Sequence, residues 1–162
     1  MLTVTAIAGN IFHDKKFDSK QIQEFERIQI SRFELEKSRI RKQTNRGTDV
    51  GLSLNEGRAL HHGDVLTDNE KFIVVEQLPE KVITVRIKDA NRPELLVLLG
   101  HIIGNRHRPI SIKGETIYFP IQADSELQVF ENLFSNVIDS IELSIEEMIF
   151  HPDDGANVHD HG

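Results

Sequence analysis

Between Pro93 and Asn105 the chain reads PELLVLLGHIIGN. Leu95, Leu96, Val97, Leu98, Leu99, Ile102 and Ile103 cover nearly the whole circumference of a helix at this position. A helix resting on one side of a sheet needs a single apolar stripe, and one that is apolar all round needs cover on two sides. Pro93 suits the first turn, and Asn91 is a candidate N-cap. Gly104 and Asn105 can take the left-handed conformation that ends a helix. Twofold dimers are the commonest oligomers, so a second copy of the chain is the favoured second cover. A thick core within one chain, or the N-terminal domain, is the alternative.

The residues around this helix give it a context. KVITVRI before it reads as a strand from its alternation and β-branched content. PISIKGETIYFPI after it reads as a hairpin pivoting at Gly114. SELQVFENLFSNVI places Leu127, Phe130, Phe134, Val137 and Ile141 at helical spacing, with Ser125 and Gln128 offering a capping box. IELSIEEMI closes as a strand. The order β-α-β-β-α-β predicts a ferredoxin-like domain over 78–150.

Residues 1–77 read as a β-rich domain instead. TVTAIAG, RIQIS and FIVVEQL are strands, FELEKS is a polar turn of helix, and RIRKQT pairs with DVGLSL across the NRGT turn. The fold class is therefore α+β. Residues 151–162 show no periodicity and are expected to form a flexible tail containing histidines.

Composition excludes several functions. The 162 residues contain no cysteine, which removes disulfides, thiolate nucleophiles and sulfur-built zinc sites. No apolar run reaches the roughly 18 residues of a membrane span, and MLTVTAIAGN lacks a signal-type n-region, so no membrane partner and a cytoplasmic location are expected. A net charge of −7 argues against nucleic acid. The basic cluster Arg39, Arg41, Lys42 and Arg46 reads as the solvated face of a strand and turn. No nucleophile elbow, P-loop or dinucleotide loop is present, and Glu146–Glu147 would point to opposite faces of a strand. The chain is not expected to be an enzyme.

Histidine is the residue type in excess, with eight in the chain. HDH at 159–161 allows His159 and His161 to turn toward one ion, and imidazole suits Ni²⁺, Cu²⁺ and Zn²⁺. A solvated chain end explains the same residues without a metal. His107 lies just past the apolar helix, where the helix dipole alone favours a histidine. If that helix meets its own copy across a twofold axis, two His107 rings converge, leaving coordination positions open for the tail. His101 is either in such an interface or a locally satisfied histidine. His61–His62 precede Gly63–Asp64 and read as turn residues. Ligation needs unprotonated imidazole, so metal affinity is expected to weaken as pH falls through roughly 6.5, the ordinary imidazole range.

Several of these stretches together resemble the UreE urease accessory proteins. GNRH (104–107) after an apolar helix is similar to that family's signature. RIRKQTNRGTDVGLSL (39–54) resembles its first-domain hairpin, HHGDVL (61–66) its Gly-Asp element, and the closing HDH its short tail. The resemblance implies a homodimeric nickel metallochaperone that delivers Ni²⁺ for assembly of the urease active site. It implies a first domain of peptide-binding type and a second that binds metal and dimerises. It carries the ligand role onto His107, and an auxiliary role onto His159, His161 and His151. It also implies the urease accessory GTPase and the urease apoprotein complex as partners, and leaves a pairing of dimers around shared metal open. The tail here is too short to store many ions, and ISIKGETIYFPI lacks the histidine pair that some members carry. Two other readings use the same residues: a protein-interaction module with incidental histidines, and a general Zn²⁺ or Cu²⁺ buffer.

Overall fold

The computed structural model describes residues 1–55 and 58–155. The chain divides into two compact units, Met1–Leu78 and Pro79–Gly162.

In the first unit TVTAIAG is not one strand. It breaks into β1 (Leu2–Val4) and β2 (Ile7–Asn10), which join different sheets. A short helix that the apolar pattern does not announce, α1 (Ser19–Glu24), follows; a reciprocal Asp18–Gln21 cap holds it, and it buries no residue. Then come β3 (Glu26–Ile30), α2 (Arg32–Leu35), β4 (Arg39–Gln43), β5 (Asp49–Ser53), β6 (Asp64–Thr67) and β7 (Phe72–Gln77). One sheet runs β1-β5-β4 and the other β2-β6-β7-β3. The β4–β5 hairpin pairs Arg39 with Ser53 through Gln43 with Asp49. Period two does its work in β5, where Val50 and Leu52 turn inward. They meet Val4, Ile28, Ile30, Leu66, Ile73 and Val75 in one core drawn from both sheets. The basic residues of β4 stay on the surface, Lys42 pairing with Glu34 and Arg41 with Asp49 at 2.8 Å each.

The second unit contains β8 (Glu80–Ile87), α3 (Pro93–Asn105), β9 (Ser111–Lys113), β10 (Thr116–Pro120), α4 (Glu126–Leu133), a 3₁₀ helix (Ser135–Ser140) and β11 (Ile141–Met148). Its sheet order, β11-β8-β10-β9 with every pair antiparallel, is the ferredoxin-like arrangement. Leu95, Leu99 and Ile103 of α3 and Phe130 of α4 pack on Ile83, Val85, Ile87, Ile117 and Phe119 of the sheet. Each of these buried side chains contributes about 1.5–3 kcal/mol.

Three local expectations are corrected. Arg92, not Asn91, is the N-cap of α3, and no side chain caps the helix; Asn91 lies one residue before it, its N–H donating to Asp89 Oδ1. Ser125 makes no capping bond and no capping box forms; Glu126 accepts from the Gln122 and Ala123 N–H groups instead, at 2.6 and 3.2 Å. The second helix stops at Leu133 and tightens to 3₁₀ before β11.

The register places four strand ends together. Met148 at the end of β11 pairs with Glu80, Pro120 at the end of β10 with Val82, and Ser111 at the start of β9 with Tyr118. Helix α3 leaves the far end of β8 and returns to this end, where β9 begins.

Candidate metal centre

Helix α3 ends two residues later than its Gly-Asn pair suggests. It runs through Asn105, Arg106 caps it, and the residue with positive φ is His107 itself, at 53°. The His107 N–H donates to the Gly104 carbonyl at 2.9 Å and the Arg108 N–H to the Ile103 carbonyl at 3.4 Å. This is a Schellman stop with histidine where glycine is usual. A side chain in the left-handed region costs roughly 1–2 kcal/mol, so neighbouring contacts must enforce it.

Those contacts follow at once. Pro109 is buried and cannot continue a helix. The Arg108 guanidinium donates to the Pro120 carbonyl at 3.3 Å and pairs with Glu126, which tethers the turn to β10 and to the start of α4. The His107 side chain is exposed on this fixed base. The carbonyl-rich end of α3 beside it favours a bound cation.

Within the second unit, the described residues cover the rest of α3 on one side only. Among the described residues of the second unit, Leu96, Val97 and Leu98 remain 39%, 72% and 38% exposed, so that unit's own core does not cover them. Val97, Gly100, His101 and Gly104 follow helical spacing toward His107, and a Cβ added at either glycine would meet nothing within 4 Å. Small residues on such a stripe let a second helix axis come close. His101 is locally satisfied: the Asn105 side-chain amide lies 3.1 Å from its Nε2.

The other histidines separate clearly. His151 is exposed and follows the fully buried Phe150, at the same end of the sheet as His107. His159 and His161 lie outside the described residues. His61 and His62 serve their turn: the His61 N–H donates to Asp64 Oδ2 at 2.7 Å, and His62 Nδ1 accepts from the Gln77 N–H at 3.0 Å. Gly63 between His62 and Asp64 has φ 86°, and a Cβ there would lie 2.4 Å from the Phe12 ring. Among the described residues, no three His, Cys, Asp or Glu side chains gather closely enough to hold a metal ion. No helix among them is long and apolar enough to cross a membrane.

What sequence reasoning missed is Arg108 and Glu126. Their pairing joins a turn to a helix start eighteen residues away, and no periodicity reports such a contact.

Comparison with known proteins gives a consistent match. Residues 4–78 match the family model described as the UreE urease accessory protein N-terminal domain, and residues 80–162 match its C-terminal domain. The urease accessory protein UreE of Natronomonas pharaonis is 32% identical over 136 residues, covering 78% of this chain and 63% of the relative. Those of Yersinia rohdei and Yersinia frederiksenii are each 31% identical over 131 residues, covering 75% of this chain and 58% and 55% of the relatives. The chain thus spans less than two thirds of the length of these curated relatives.

Proposed function

The chain belongs to the UreE family of urease accessory proteins, and on that premise we propose that it is a non-enzymatic nickel carrier for urease maturation. Two chains associate through the uncovered face of α3, and their His107 rings converge on one Ni²⁺ ion. His159, His161 and His151 supply further, exchangeable ligands. An open, two-chain site suits a carrier, because cargo held in a closed cage would not be released. Location in the cytoplasm and handover to the accessory GTPase and the urease apoprotein belong to the same reading. The first unit is then the module that meets partner proteins, with an open groove lined by Phe17, Phe25 and Phe72 as its peptide-binding candidate.

One observation carries this reading: an exposed histidine held in a glycine-favouring conformation at the end of an uncovered apolar helix face. Conformations of this kind, held by the surrounding contacts, cluster at functional sites. Nickel itself is assigned through the family, since Zn²⁺ and Cu²⁺ suit the same imidazoles. Calorimetric titration with Ni²⁺ tests the site. Wild type is expected to bind tightly, and His107→Ala to lose the tight phase. An unchanged titration in that variant removes His107 from the site.

A further inference from the structure

The chain leaves β11 on one edge of the second sheet and crosses to the other. Phe150 is fully buried, and three residues later the chain lies against β9. The Asp153 N–H donates to the Ile110 carbonyl at 2.9 Å, and Asp153 Oδ2 accepts from the Ile112 N–H at 2.8 Å. One side of β9 pairs with β10, so Asp153 occupies the other side, its free edge. A carboxylate does here what a partner strand's carbonyl would do.

The location matters because β9 begins four residues after His107. Strands β11 and β9 stand three strand spacings apart, about 14 Å. Ile110 is three residues from His107, at most about 11 Å of chain. The two bonds therefore move the origin of the tail from the β11 edge to the His107 edge. From Asp153 to His159 six residues reach up to about 20 Å. Released at Asp153, the tether would instead run nine residues from Phe150.

We propose that Asp153 is a positioning residue that latches the root of the tail to the edge of β9 and so holds the tail histidines within reach of His107. This rests on the metal-site reading above, and it adds a residue that binds no metal. Lengthening the tether from six to nine residues lowers the effective concentration of the tail by about twofold, from the −3/2 power dependence on length. Loss of direction at the root adds to that.

Two measurements test the latch. The chain has no cysteine, so Val158→Cys offers a single site for a nitroxide label. In the metal-free protein the label is expected to broaden the Arg106 and His107 amide resonances. Asp153→Ala should weaken that broadening, and Asp153→Asn, which keeps an acceptor oxygen, should restore most of it. Equal broadening with Asp153 and Ala overturns the latch. The second measurement is Ni²⁺ affinity by competition titration. Asp153→Ala should weaken it about twofold or more in the full chain and leave it unchanged in a chain ending at Gly155. No loss in the full chain, or the same loss in both lengths, overturns the latch. Wild-type nickel binding by His107→Ala would instead strike the metal-site reading, while the metal-free broadening still decides the latch.

Discussion

His107 carries a side chain where the backbone asks for glycine, and a substitution can separate the two demands. His107→Gly is expected to raise stability by about 1 kcal/mol, read as a higher urea midpoint with an unchanged slope, while nickel affinity falls. A less stable variant would show that the left-handed turn is not strained. The candidate ligand was legible in the sequence because it follows an apolar helix in GNRH. Its conformation was not. Gly104 and Asn105 are better left-handed residues by type, but Arg108, tied to Pro120 and Glu126, decides where the chain must leave the helix. A second residue, Thr44, has an effect that depends on pH. Hydrogen bonds from Thr44 first, then Thr48, hold the buried Glu26 carboxyl below its ordinary value of 4.5. A depressed carboxyl stabilises the fold above the unfolded value, and the gain is lost as pH falls through the folded one. Thr44→Val is thus expected to cost about 1–3 kcal/mol at pH 7 and progressively less below about pH 4.5. Denaturant unfolding across that range checks it, and a cost independent of pH would contradict the assignment.

At the scale of the element, α3 has two apolar faces with different fates. Leu99 is fully buried, so Leu99→Ala should cost about 2–5 kcal/mol in thermal or denaturant unfolding. Val97 is 72% exposed, so Val97→Glu should leave the fold of one chain within about 0.5 kcal/mol. The same substitution is expected to prevent self-association, read by light scattering on a sizing column. An unaffected dimer would place the contact elsewhere. Periodicity made this helix legible because its apolar residues outnumber what one sheet face can bury. It could not find α1, which buries nothing and so leaves no hydrophobic trace; only its Asp18–Gln21 cap spacing marks it. Nor could it see that 135–140 would tighten to 3₁₀, although Phe134 is fully buried and Ile141 must open β11.

At the scale of the whole molecule, the change from period two to a mixed pattern near residue 78 is visible in the sequence, and the chain divides there into two units with separate cores. The ferredoxin-like order was legible because each strand and helix carries its own periodicity. The path of the chain after β11 was not, because Asp153 meets β9 through backbone groups that any residue of the edge would offer. The association of two chains is the step on which the proposed carrier depends: an ion between two His107 rings belongs to a pair of chains and not to one. The direct measurement is the number of nickel ions bound tightly by a chain ending at Gly155, which lacks His159 and His161. The account predicts one ion per two chains, lost in His107→Ala. One ion per chain, or tight binding that survives that substitution, would contradict it.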